Sequence, residues 1–496
     1  RPYEQADGLG RFESWERRFV DWMRDTNRAF EVVTDQDLHD PTLLANYNVV
    51  VLVGHSAYWT AAARQNLETF SNNGGHVAIL GGNTMWFRVA HEDNGRTLVG
   101  ENDAQAEIGS EPSGIVTANW YRHPVNQPEN RLVATSFRHG GVANRSSNLQ
   151  KYEMVPIEQR SPWTVTDASH WVFSGTGLTR GTTFGRETTG LEVDGVVFNC
   201  DISGVPARPD GSDDAPMNYH ILAVTPASLG WGTMGYYVNP AGGAVFNAAS
   251  QGWVWGLEFN ETIQRITANV LDRFASGARL PYDPAQTAIV AEDLFNCPPT
   301  LIAQPGWRTA GARGAVTPGC AYEGPGGLEL SGPNQIGLAR SIARAGESRS
   351  HVELRFYVKA DDLQRRTDVP RPVVTLQHRT PDGVRQVAHV ELDVNGNTRQ
   401  VRLSRRNPDG GFAATTDWVT LPDGWHLIEA TWRSPGTMAL QVDGGTILTL
   451  ENPNSGQTAN EMVIEFPAAQ LTEAGRLCID AIAAGTEKPG RVAQQR

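Results

Sequence analysis

Four short stretches of this sequence carry side chains able to do chemistry: GHSAYW (residues 54–59), GGNTMWF (81–87), GLEVDG (190–195) and FNCDISG (198–204). Ser56 stands beside His55, but adjacent residues rarely adopt the geometry of a nucleophile and its base, and no Gly-x-Ser-x-Gly elbow surrounds them. His55, directly after a strand-end glycine, reads either as a hydrogen-bonded framework residue or as a ligand or acid/base group. Glu192 and Asp194 read as a turn pair or, in so apolar a stretch, as carboxylates that ask for a partner. Cys200 is the thiol candidate for nucleophilic chemistry, yet it does not sit at the strand-to-helix turn that follows residues 54–59, which argues against that use. Asp35 and Asp37 could hold a metal, although acidic residues at a strand-end turn more often form turns and caps. Asn83, after two glycines, reads as a loop former that bonds backbone groups. These glycines make neither G-x-G-x-x-G nor a P-loop, so nucleotide binding is unsupported.

The elements that must position these residues follow from hydrophobic patterning. Residues 49–53 (VVVLV) and 77–80 (VAIL) are continuous apolar runs, as expected of strands covered on both faces. Between them residues 61–72 carry apolar side chains at helical spacing and stop at Gly74-Gly75. The unit is strand, helix, strand, and ligands in open α/β sheets bind beyond the carboxyl ends of the strands, where GHSAYW and GGNTMWF lie. Upstream, Phe12, Trp15, Phe19, Trp22 and Met23 have helix spacing, and residues 30–33 look strand-like. A doubly wound sheet normally places a strand before that helix. The expectation is a longer precursor whose N-terminal fragment supplies it.

Residues 88–221 lose the α/β rhythm and read as a large irregular insertion, with strand-like runs at 171–173 and 196–198. The rhythm returns at 221–225, 232–237 and 242–257, and a helix is expected over 261–274. The first domain, α/β with a mainly parallel sheet, therefore spans 1–280, followed by a linker over 281–288. From 289 to 488 short runs alternate with period two between turn signals such as Pro-Asp-Gly at 381–383, which argues for an all-β antiparallel sandwich. Cys297 and Cys320 bracket a loop-rich stretch and are candidates for a bridge. Cys200 and Cys478 lie in apolar runs and read as buried thiols.

Bulk properties narrow the classes. A chain of 496 residues exceeds one ordinary core. The net charge of −13 is dispersed, and no basic patch with interleaved aromatics suggests nucleic acid. No run of about 18 apolar residues suggests a membrane span. Only three of the 42 basic residues are lysine (Lys151, Lys359, Lys488), a bias that a GC-rich genome explains.

Several motifs in order, RPYEQADGLGRFESWE, VVTDQDLH, GHSAYW, GGNTMWFRV, GLEVDG and GGAVFNAASQGWVWGL, make residues 1–275 resemble the C-terminal domain of the large subunit of N,N-dimethylformamidase. The run GWHLIEATWRSPGTMALQVDGG resembles the laminin-G or concanavalin-like jelly roll. The first resemblance implies a glutamine-amidotransferase-like α/β core and a mononuclear iron held by two tyrosines and a glutamate, which activates water to hydrolyse an amide. Hard phenolate and carboxylate donors suit that ion. Carried over residue by residue, Tyr58 and Glu192 match two of the metal ligands. The second tyrosine falls on Trp86, and Ser56 and Ala57 replace an acidic pair. Substitute ligands would be His55, Tyr121 or His139. The resemblance to a jelly roll implies a glycan, calcium or a neighbouring subunit as partner.

Two functions follow as expectations. The first is a degenerate, non-catalytic relative acting in extracellular or cell-surface binding or assembly, oligomeric and without iron. The alternative is a metal-dependent amide hydrolase with Tyr58 and Glu192 on iron and with His55 and Glu192 as catalytic groups. Tyr58, Trp86 and Glu192 are expected to converge in space around a centre empty of iron.

Overall fold

The computed structural model describes residues 12–100 except 14, then 117–142 and 157–284. From 289 to 487 it describes all but 294, 298–307, 310–314, 323, 332–335, 344–346, 362, 364–370, 396–397, 408–411, 455 and 467–475. The motif residues 1–11 and residues 285–288, half of the expected linker, lie outside this set. Strands dominate the described residues, which form two compact units: Arg1–Val196 with Asn218–Asp283, and Val197–Met217 with Pro284–Arg496. The expected insertion is corrected here, because residues 197–217 belong to the second unit and not to the first.

In the first unit a seven-stranded sheet runs, in spatial order, Val49–Gly54, His76–Gly81, Ala244–Asn247, Trp231–Val238, His220–Pro226, Trp163–Val165 and Thr183–Phe184. The first two pairings are parallel and the remaining four antiparallel. The expected mainly parallel sheet is therefore corrected to a mixed one. The reason is local: His220–Pro226 and Trp231–Val238 are joined by a tight hairpin, with Pro226 opposite Trp231, and a parallel return needs a crossover of a dozen or more residues.

Alternation within the parallel strands sends Ala78, Leu80, Phe246 and Ala248 to one face. There they meet Trp15, which precedes the Glu16–Asp25 helix, with Phe19, Trp22 and Met23 of that helix and Ile263, Ile266, Val270 and Phe274 of the Glu261–Ala275 helix. Each large side chain buried in this way stabilises the fold by about 1.5–3 kcal/mol. Asn260 caps the latter helix by accepting from the backbone N–H of Thr262 and Ile263. Thr60 does the same for the Ala61–Asn72 helix through the N–H of Ala63. Gly54 ends its strand at φ 68°, and a Cβ there would fall 2.5 Å from that of Trp15, so no other residue fits the turn into GHSAYW.

Two strand expectations fail. Residues 30–33 form no strand, with Val32 and Val33 exposed. Trp171–Phe173 is a 3-10 turn whose first N–H groups are met by His170, so its apolar side chains reach the core without pleating.

The second unit is a sandwich of two eight-stranded antiparallel sheets. Period-two alternation fills its interior: Val352, Leu354, Phe356 and Val358 from one sheet meet Ala388, Val390, Leu392 and Val394 from the other. All four cysteines are bridged, Cys200 to Cys297 and Cys320 to Cys478. The expected Cys297–Cys320 bridge and the two buried thiols are thereby corrected. Cys200 travels with residues 197–217 into this unit, where Arg340 also forms a buried ion pair with Asp210 at 2.7 Å. Cys320 closes a 3-10 turn just before the Gly327–Ser331 strand, which pairs with the strand carrying Cys478.

Candidate functional site

The polypeptide segments leaving the two parallel strands are zipped together. The backbone N–H of Met85 donates to the Ser56 carbonyl at 2.8 Å, Phe87 to Ala57 at 2.8 Å and Val89 to Trp59 at 3.0 Å. Tyr58–Trp59 thus pairs in parallel with Phe87–Arg88, which pairs on its other side with Ala118–Asn119. Ser56 is spent on this architecture, since the Trp59 indole donates to both its carbonyl and its hydroxyl oxygen.

Beneath this rim lies a buried polar floor. Glu192, 5% exposed, accepts the Asn83 side-chain amide on Oε1 at 3.2 Å, and its Oε2 lies 3.5 Å from Nε2 of His55. Asp194, 1% exposed, accepts the backbone N–H groups of Asn83 (2.8 Å) and Thr84 (3.3 Å). Both carboxylates sit on the Glu192–Gly195 strand, which is held by pairing with Ser136–Val142 and by bonds from Gln251 N–H to the Glu192 carbonyl and from Asp194 N–H to that of Ala249. Contrary to expectation, the Asn83 side-chain amide meets Glu192 rather than backbone groups, and with its own N–H on Asp194 the residue links the loop to both carboxylates. It does so at φ 52°, a left-handed conformation that asparagine tolerates. Fully buried Met85 adopts φ 58°, where a long side chain is strained by about 1–3 kcal/mol.

A third carboxyl, Glu129, is fully buried and takes the Ser136 hydroxyl as donor. Burial raises its pKa, with the Arg138 charge the foremost opposing influence. Asp194 is pushed up to about 7, first by burial, against the two N–H bonds, with the Glu129 and Glu192 charges adding to the rise. A proton is accordingly held within this floor near neutral pH.

Above the floor is a half-buried aromatic rim. Tyr58 stacks on Phe87 with centroids 5.3 Å apart and meets the His55 ring edge-on at 6.1 Å. Trp86 packs on Tyr121 (5.2 Å) and Phe137 (5.6 Å), and the Arg138 guanidinium lies 4.4 Å from the centre of the Tyr121 ring.

Of the expected site residues, the structure brings His55, Tyr58 and Glu192 together through the imidazole, while Trp86 turns toward Tyr121 and Phe137. His139 lies half-buried on the Ser136–Val142 strand. Cys200 is excluded as a nucleophile by its disulfide. Asp37 accepts from the backbone and hydroxyl of Thr34, as a turn former does. Sequence reading missed Glu129, Ser136 and Gln251, which carry no local signal and reach the floor only through long-range pairing. Of the three donors implied for iron, two are present; the third position holds an indole, whose nitrogen is only a donor. Among the described residues no group of three His, Cys, Asp or Glu side chains is placed to hold a metal.

Residues 1–267 match the family described as N,N-dimethylformamidase beta subunit-like, C-terminal. That is more than half of the chain, and the chain belongs to this family. No curated protein matches. Among solved structures, the cellulose-induced protein Cip1 is 17% identical, with 40% of this chain and 98% of that one covered and a TM-score of 0.29. A carbohydrate esterase from the Shiga toxin-encoding bacteriophage phi24B is 15% identical, with 37% and 91% covered and a TM-score of 0.27. The receptor binding domain of the botulinum neurotoxin C/D mosaic serotype is 13% identical, with 40% and 48% covered and a TM-score of 0.29, so this chain spans about half of its length. Likenesses of this size carry no argument about function.

Proposed function

We propose that this member of the N,N-dimethylformamidase beta subunit-like family does not hold the iron its resemblance implies and is a non-catalytic, extracellular binding or assembly protein. The observation that carries this reading is Trp86. It stands where a tyrosine ligand is expected, and its indole is packed against Tyr121 and Phe137. The other carboxylate donor is also committed, with Asn83 on one oxygen of Glu192 and His55 beside the other. The donor set does not fit the ion. The first unit is read as an amidotransferase-like α/β core that has kept its parallel strands and lost its metal chemistry.

Pairing of all four cysteines supports an oxidising, extracytoplasmic location. No described helix is long and apolar enough to cross a membrane. Binding of a glycan or of a neighbouring subunit is assigned to the jelly-roll-like sandwich. One observation favours the alternative of an amide hydrolase: His55 neighbours both retained donors, with Glu192 3.5 Å away and the Tyr58 ring met edge-on at 6.1 Å. The two readings separate by assaying N,N-dimethylformamide hydrolysis of the full chain after iron loading. The proposal expects no hydrolysis above the rate of a Glu192→Gln variant, and turnover lost with that substitution would overturn it.

A further inference from the structure

At the opposite end of the strands that carry the candidate site, Tyr47, Asn48, Asn66, Phe70, Asn73 and Arg279 line an open groove of about 390 Å³. That volume falls in the range of about 300–1,000 Å³ common to small-molecule sites. Two helices end here. Ala61–Asn72 stops before Asn73, and Glu261–Ala275 stops shortly before Gly277 and Arg279, all in the groove wall. The carbonyls of the last turns are largely met, those of Thr69, Phe70 and Ser71 by the N–H groups of Asn73, Gly75 and Gly74, that of Phe274 by Gly277 and that of Ala275 by the Asn48 amide, so the polar character of the wall toward a ligand comes from side chains.

Asn48 donates its amide to the Ala275 carbonyl at 3.0 Å and Asn66 to that of Leu38 at 2.8 Å, which leaves the amide oxygens as acceptors. Arg279, the cation of the groove wall, is engaged with the Ala241 carbonyl at 2.8 Å. The half-buried Phe70 ring rests on the main chain at Gly75, where a Cβ would fall 2.4 Å from ring atoms. An acceptor-rich wall beside an aromatic ring suits a ligand that offers many hydroxyl donors and one apolar C–H face.

We propose that this groove binds a neutral saccharide, with hydroxyls donating to the amide oxygens of Asn48 and Asn66 and with one sugar face on Phe70. The proposal is independent of the reading above, because it uses neither the Glu192 floor nor the sandwich.

Isothermal titration of the full chain with cellotriose and maltotriose tests it, with melting curves recorded for each variant. At least one neutral trisaccharide should bind, Phe70→Leu should weaken it about tenfold, and Phe70→Trp should retain it. Tyr58→Phe should leave binding unchanged. Failure of both probes to bind at millimolar concentration, or equal affinity in the folded Phe70→Leu variant, would each overturn the proposal.

Discussion

Nε2 of His55 lies 3.5 Å from Oε2 of Glu192, and the Asn83 amide holds the other oxygen of the same carboxylate at 3.2 Å. This arrangement joins the segments that leave the two parallel strands to a strand more than 100 residues downstream. Its first role is architectural, since it gives a 5% exposed carboxylate the partners that burial demands.

Glu192→Ala should therefore destabilise the first unit by about 1–3 kcal/mol, because it strands the buried Asn83 amide beside a half-buried imidazole. Glu192→Gln, which keeps an acceptor for Asn83, should cost clearly less. Urea unfolding of the two variants checks this; equal losses would mean that the carboxylate has no such tie.

Asp194 gives a pH dependence of definite sign. Its folded pKa, near 7, lies above the usual 3.8, so the folded state binds the proton more tightly than the unfolded chain. The stability it contributes is fully present below about pH 4 and is lost as pH rises toward 7. Denaturant unfolding between pH 5 and 8 should show a decline that Asp194→Asn reduces, with the remainder belonging to Glu129, which shifts in the same direction.

The sandwich should respond oppositely. His389 is lowered to about 3, mainly by burial and then by the Arg406 charge, and Nε2 of the ring accepts from Arg406 at 3.1 Å. A base with a depressed pKa contributes stability above pH 6.5 that is lost as pH falls toward 3. His389→Gln should flatten that acid limb in the second unit, measured by hydrogen exchange of its strands.

The two bridges close segments of 97 and 158 residues. Removing either by paired Cys→Ser substitution should destabilise the second unit by about 2–5 kcal/mol. Maleimide labelling of the unreduced, denatured chain should find no free thiol.

Much of the first unit was legible from local pattern. The runs VVVLV and VAIL became the Val49–Gly54 and His76–Gly81 strands, and the helix between them appears as Ala61–Asn72. Period two likewise announced the sandwich. The antiparallel half of the sheet was present in the short spacing between residues 225 and 232, which allows only a hairpin, but continuous apolar runs look alike in either orientation. The passage of residues 197–217 into the second unit, the Cys200–Cys297 pairing and the Glu129–Asp194 proximity depend on contacts distant in sequence, which periodicity does not encode. Trp86 was legible as a departure from the family pattern, and its packing on Tyr121 and Phe137 needed coordinates.

The most direct test of the central claim is iron stoichiometry of the purified full chain after iron loading, read with the visible tyrosinate-to-iron charge-transfer band. The account predicts far less than one iron per chain and no such band. One iron per chain, with a visible band abolished by Tyr58→Phe, would contradict it.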